Sequence, residues 1–429
     1  MPDFSSVTTR VEERRRDLSS SLLARLSRSR ITTWLDQAAL PFWLAHGVDR
    51  IGGGFHEVLG FDGAPVPAEK RLRTMARQTY CFATAAQRGW GDTAACHDAV
   101  THGLQFLSTH ARQPNGMFTK TFTFDGHPRD CTPDAYDTAF VLFAAAAAVQ
   151  AGHDDAAMLG RDVMRQLEMN FYLGRGRGFR ETADGGDGTN TDGLRRANPH
   201  MHLLEACTAW HRATGARLAA AWAREIVEIF FAHFFDAETW SVREFVNADL
   251  SPCDSEDGAV REPGHAYEWA WLLHDLDMSG SGRTRWAVQR LAASATAFGT
   301  NPVTGLTYQQ ITEHGEVIDA TSRSWPQTEA VRAMLALRKA SGGGARAIAD
   351  VDARIDAVFD THISPAPAGL WFDHIAADGS VLSKTVPASI LYHLISAFSA
   401  VLDHESTALE GSETGISHGK NTDEPSLWL

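Results

Sequence analysis

The chain has 429 residues, 44% hydrophobic and 21% charged, and 53 acidic against 39 basic side chains give a formal charge of −14. This is the composition of a globular protein, not a collagenous or disordered one. Its acidic balance argues against nucleic acid or an anionic membrane as partner, because both need a basic surface. Five cysteines (Cys81, Cys96, Cys131, Cys207, Cys253) without CxxC spacing read as reduced thiols. The N-terminal MPDFSSVTTRVEERRR lacks a signal-peptide core, and no apolar run reaches bilayer length, so a cytoplasmic location is expected.

A charged, helix-like segment at about 20–46 opens the chain, and GFHEVLGFDG follows from Gly54. Pro67 then precedes AEKRLRTMARQTYCFATAA. The same order recurs five more times. Outer-type segments come at about 93–110, 154–171, 216–234, 281–297 and 345–361. Turn-like segments start at Gly116, Gly178, Ser241, Gly305 and Gly369, and most close on Asp-Gly or His-Gly, a hairpin signal. More apolar helices follow Pro133, Pro199, Pro263, Pro326 and Pro387, and the six prolines are 61 to 66 residues apart. Proline suits the first position of a helix, and Thr132, Asn198, Ser324 and Thr385 are nearby candidate caps.

Two independent markers share one period, so the expected fold is all-α: an (α/α)6 barrel of six inner and six outer helices, with short β-hairpins rimming one mouth. An open solenoid would have the same period, but six units that start on an outer helix and end on an inner one fit closure better. Residues 1–405 are expected to form one catalytic domain and 406–429 a polar, flexible tail.

Residues able to do chemistry sit at the starts of the proline helices. Tyr136, His202 and Glu329 lie three past their proline, His265 two, Glu268 five and His393 six. A closed ring would bring these points together. Asn198 with His202, His265 with Glu268, and Trp325 with Glu329 each share a helix face. A carboxylate beside a histidine fixes its orientation and protonation, and an aromatic wall beside a carboxylate suits a sugar. Arg77 is polar in an otherwise apolar register of the first inner helix. Glu205 reads equally well as a functional residue or as only a helix-surface or core hydrogen-bonding group. His265 and Glu268 also have the HxxE spacing of a metal half-site. Glycine-rich GRGRGF and GISHGKNT match neither a dinucleotide nor a P-loop pattern.

ANPHMHLLEA (197–206), EPGHAYEWAWLL (262–273), SWPQTEA (324–330) and VPASILYHL (386–394) resemble the signature segments of the N-acylglucosamine 2-epimerase superfamily, on its mannose isomerase side. The resemblance implies action on a free monosaccharide with neither metal nor other cofactor, by a monomer or homodimer. It makes His265 and His393 the acid/base pair. Arg77, Tyr136, Asn198, His202, Glu268, Trp325 and Glu329 would bind and orient the sugar. In related sequences an arginine often stands further upstream of the PGHxxEW segment than Arg261 does here, so Arg243 is expected to take that part.

The implied reaction is interconversion of D-mannose and D-fructose through a cis-enediol; the alternative is epimerisation at C2. Two other classes remain open. A glycoside hydrolase could use Glu268 and Glu329 but would leave the histidines without a role, and a non-enzymatic binding protein would not need them.

Overall fold

The computed structural model describes residues 26–183, 194–276, 282–340 and 345–413. Six inner helices span Leu72–Arg88, Ala135–Gln150, Ala197–Thr214, Pro263–Asp275, Ser324–Ala340 and, after a short 3-10 turn at Ala388–Ile390, Leu391–Glu413. The outer helices cover 26–46, Thr93–His110, Ala156–Phe171, Arg217–Phe234, Gly282–Gly299 and Ala345–Ile363. Five of these contain a single π turn, at Leu35–Ala39, Phe106–His110, Leu167–Phe171, Phe230–Phe234 and Val358–Ile363. The second inner helix is buried almost all round from Ala135 to Ala148, as its continuous apolar run requires. The outer Arg217–Ile229 helix instead buries one stripe: Ala219, Trp222, Ala223, Ile226 and Val227.

The expected (α/α)6 barrel is present, and its closure is visible in hydrogen bonds. Each inner helix is entered from a short extended segment that pairs with the turn region of the next repeat. Lys70–Arg71 pairs with Thr121–Phe122, Leu194–Arg196 with Phe245–Asn247, Val260–Arg261 with Ile311–Thr312, and Ser322–Arg323 with His374–Ile375. A single bridge, Asp134 to Thr182, does the same for the second. The sixth returns to the first: Val386–Pro387 pairs with Val58–Leu59. Gln78 also donates to the Ala388 carbonyl at 2.7 Å. A solenoid has no such bond between its ends.

The turn regions are shorter as strands than the sequence suggests, only two or three residues each. Pairing between repeats takes the backbone groups that longer hairpins would have used. The same pairing changes how the inner helices are capped. Of the prolines, only Pro263 stands at the first helical position; Pro199 and Pro326 are third in their helices, and Pro67 precedes the lead-in strand. The first N–H groups are met instead by carbonyls of the next repeat: Leu72 by Lys120, Ala135 by Glu181, Ala197 by Glu244, Ser324 by Asp373 and Ala388 by Glu57. Helix starts inside the ring are shielded from water, so a neighbouring carbonyl does what an exposed cap would do. These bonds hold five of the helix N-termini at one mouth, and the fourth, which starts on Pro263, has no N–H there to satisfy.

At the other end, the last inner helix continues to Glu413, eight residues into the segment expected to be a polar tail. The rest of that tail, the N-terminal 25 residues and the end of the third turn region lie outside the described residues. No described helix is long and apolar enough to cross a membrane.

Candidate active site

The helix starts converge as expected, and the residues they carry form one hydrogen-bonded system. His265 stands on the first turn of the fourth inner helix. Its Nδ1–H donates to Glu244 Oε2 at 2.8 Å, with Glu262 at 3.4 Å, and its Nε2 lies 3.3 Å from the Asn198 amide. The centre of the Trp325 ring lies 5.1 Å from that of His265 and 5.7 Å from that of His393. Gly264 makes room for that indole: a Cβ there would come within 2.5 Å of it. His393 donates from Nδ1 to Glu329 Oε1 at 2.8 Å.

Deeper in the ring, His202 donates from Nδ1 to Glu205 Oε2 at 3.1 Å and packs against Phe140 and Tyr136. Arg332 spans two carboxylates, reaching Glu329 Oε2 at 2.9 Å and Glu205 Oε1 at 3.4 Å. The Tyr392 hydroxyl also donates to Glu205. Glu268 is 1% exposed, and its Oε1 has no hydrogen-bond partner. Arg77 lies over the rings of Phe140 (4.1 Å) and Tyr392 (4.9 Å) and donates to the Tyr136 hydroxyl at 2.8 Å. No carboxylate pairs with Arg77 among the described residues, so its charge is available to an oxygen of a bound molecule.

The two histidines beside Trp325 differ in charge. Burial opposes a charge on His265, but Glu244 and Glu262 outweigh it and raise the imidazole to about 10. Burial, reinforced by Arg77 and Arg332, holds His393 well below the ordinary histidine value. Near neutral pH one ring is therefore an imidazolium donor and the other a neutral base. A charged donor beside a neutral base is the arrangement that acid–base chemistry requires.

The rise of His265 to about 10 gives stability that is complete below the unfolded value of 6.5 and fades as the pH climbs through 10. Glu244→Gln should move the alkaline limb of the pH–rate profile to lower pH and cost roughly tenfold or more in kcat/KM at pH 9. An alkaline limb that stays in place would show that Glu244 does not hold the His265 proton.

Arg243 is the one expected site residue that the structure engages elsewhere. Its guanidinium pairs with Asp236 at 3.0 Å and donates to the Phe235 carbonyl, and Arg261 shares the same Asp236. Both arginines brace the fourth turn region, whose carboxylate Asp236 would otherwise lack a counter-charge. Nor do His265 and Glu268 form the metal half-site their spacing allowed. Among the described residues, the groups of three or more ligand-capable side chains that lie together are His202, Glu205 and Glu268, and Glu268, Glu329 and His393, each set within 4.8 Å.

Glu244, Arg332 and Tyr392 were missed by sequence reasoning. The signal for Glu244 was the repeat itself, since it occupies the place of Glu57 in GFHE and Glu181 in GFRE. These two anchor the arginines that lead into their helices, Arg71 and Arg196. Only in the fourth repeat does the carboxylate face a histidine.

The family model described as N-acylglucosamine 2-epimerase (GlcNAc 2-epimerase) matches residues 53–397. A mannose-6-phosphate isomerase of Rhizobium meliloti (strain 1021) is 34% identical over 384 residues, covering 87% of this chain and 96% of that one. A D-mannose isomerase of Pseudomonas cannabina pv. alisalensis is 27% identical over 340 residues, 72% and 80% of the two chains. Among solved structures, a D-mannose isomerase superposes with a TM-score of 0.74 at 21% identity, covering 85% of this chain and 95% of that one. With the match running from the first turn region to the last inner helix, the chain belongs to the N-acylglucosamine 2-epimerase family of sugar epimerases and isomerases.

Proposed function

We propose that this protein is a cofactor-independent aldose–ketose isomerase that interconverts D-mannose and D-fructose, with D-lyxose and D-xylulose as the five-carbon counterpart. The observation that carries this reading is the pair of unlike histidines that both pack against Trp325: His265 held as a charged donor, His393 held as a neutral base. Isomerisation needs one base that takes the C2 proton and returns it at C1, with donors for the oxygen that becomes negative in between. His393 is that base; Glu329, bonded to its Nδ1, leaves Nε2 as the lone pair. His265 moves protons between O1 and O2, and it joins Arg77 in stabilising the enediolate. A 2-epimerase would need a base on each face of C2, and an imidazolium at His265 is poorly suited to be one of them.

The name of the Rhizobium meliloti relative favours a second reading, mannose 6-phosphate as substrate. Against it, the arginines that lead into the inner helices are already paired, Arg71 with Glu57, Arg196 with Glu181 and Arg323 with Asp373. Free aldoses and their 6-phosphates, followed by proton NMR in D2O after EDTA treatment, test both. D-fructose formed from D-mannose is the expected result, with deuterium at C1 only in the fraction of turnovers in which the proton on His393 exchanges with solvent before it is returned. Only the C2-inverted aldose would make the protein an epimerase, turnover confined to phosphosugars would establish the second reading, and loss of activity to EDTA would end the metal-free mechanism.

A further inference from the structure

Three carboxylates are buried side by side at the bottom of the site, and the donors around them are unevenly shared. Glu205 receives His202 Nδ1–H, the Tyr392 hydroxyl and Arg332 Nη2. Glu329 receives His393 Nδ1–H and Arg332 Nη1. Glu268 Oε1 receives nothing, although the residue is as deeply buried as the other two. Its close neighbour is His202 Nε2, 3.8 Å away. Because Glu205 takes the Nδ1 proton of His202, that Nε2 carries a lone pair when the ring is neutral. Two acceptors would then face each other in a buried place, unless Glu268 holds a proton.

The electrostatics agree with that placement. Burial, then Glu329 and Glu205, push the Glu268 carboxyl well above its ordinary value, and burial brings His202 down to about 4. The pair is thus a neutral acid beside a neutral base. At 3.8 Å they are too far apart for a hydrogen bond to each other. Both therefore stay free for the oxygens of a ligand.

Building on the sugar-isomerase reading, we propose that Glu268 enters the cycle as a neutral carboxylic acid and, with the Nε2 lone pair of His202, opens and closes the sugar ring. An aldose binds mainly as a cyclic hemiacetal, and its C2 proton becomes acidic only once C1 is a carbonyl. In the opening step His202 Nε2 takes the O1 hydroxyl proton, the O1 electrons form the C1=O1 bond, and the C1–O5 bond breaks. O5 leaves with the proton of Glu268. The result is a carboxylate and an imidazolium 3.8 Å apart. When the product ring closes, O5 attacks the carbonyl carbon and returns its proton to Glu268, while His202 protonates the carbonyl oxygen. The pair is restored without an external acid or base. His265 cannot substitute for His202, because an imidazolium has no lone pair to accept the O1 proton. His393 is occupied with the carbon-bound proton.

The test separates ring opening from isomerisation. In a His393→Ala background, which should not form ketose, the enzyme should still accelerate exchange between the α and β anomers of D-mannose, read by exchange NMR. Adding Glu268→Gln or His202→Gln should cut that acceleration by about a hundredfold or more. The idea is overturned if His393→Ala gives no acceleration, or if the double variants accelerate exchange as well as the single one. Should the aldose panel show another substrate, the same test is run on that sugar, so an error in the substrate and an error in the ring-opening pair give different results. A second readout needs no loss of function. The wild-type protein at pH 7 should show a protonated carboxylic C=O infrared band that disappears in Glu268→Gln; if every such band survives the substitution, Glu268 is not the acid.

Discussion

His393→Ala should lower kcat for aldose–ketose conversion by about 10³-fold or more, with the far-UV CD spectrum of the folded ring retained. The size follows from the chemistry. Removing a proton from carbon is slow unless a base is already aimed at it, and a positioned general base contributes about 10²–10⁴ in rate. His393 has what that role needs: it is buried, held neutral by its surroundings and oriented by Glu329 through Nδ1. The fold should survive, because Glu329 keeps Arg332 as a partner when the imidazole is gone. A variant that keeps more than a tenth of the parental rate would remove His393 from the mechanism.

Arg332→Met should destabilise the protein by about 3–5 kcal/mol, the usual cost of breaking a buried ion pair from one side. Here the guanidinium serves two buried carboxylates, Glu205 and Glu329, and also lies over the Trp271 ring at 5.1 Å. Methionine fills much of the volume but returns no charge. The deficit should depend on pH with a definite sign. In the parent, Glu205 is driven down to about 2: burial works against its charge, but His202, Arg332 and Tyr392 overcome it. Its stabilising contribution is therefore present above the unfolded value and lost as the pH falls through 2. In the variant both carboxyls rise and take up protons. The stability gap should then widen as the pH rises from 4 to 7 and narrow toward acid. Urea unfolding at several pH values measures it, and a gap under about 1 kcal/mol at pH 7 would contradict the buried-pair assignment.

Much of the site was legible because the repeat imposes geometry on position. Tyr136, His202 and Glu329 share one offset from their prolines; His202 and Glu329 each fall at the sixth residue of their helix, whereas Tyr136 is second in its own because Pro133 stands outside it. His265 and His393 differ from that offset by one residue and about one turn, and both still reach the Trp325 ring. Arg243 stands next to Glu244 in the fourth turn region, but its guanidinium is engaged by Asp236, a partnership that the sequence does not reveal. Glu205 could be read from the sequence either as a functional residue or as a merely structural one. Tyr392 and Arg332, which arrive from two other helices, make it part of the core network.

Length, period and polarity were sequence properties, because the spacing of helices and turns follows from local propensity and apolar patterning. Those alone allocate the 429 residues to six units of one ring, a first outer helix and a polar end. The acidic composition already argued against nucleic acid and anionic membranes. Partnership is different, because it depends on distances between residues far apart in the chain. Glu244 to His265, Glu329 to His393, and Arg332 between Glu205 and Glu329 exist only once the ring has closed. Protonation follows partnership: two histidines with the same intrinsic chemistry become an acid and a base only through the carboxylates and arginines that tertiary packing places beside them.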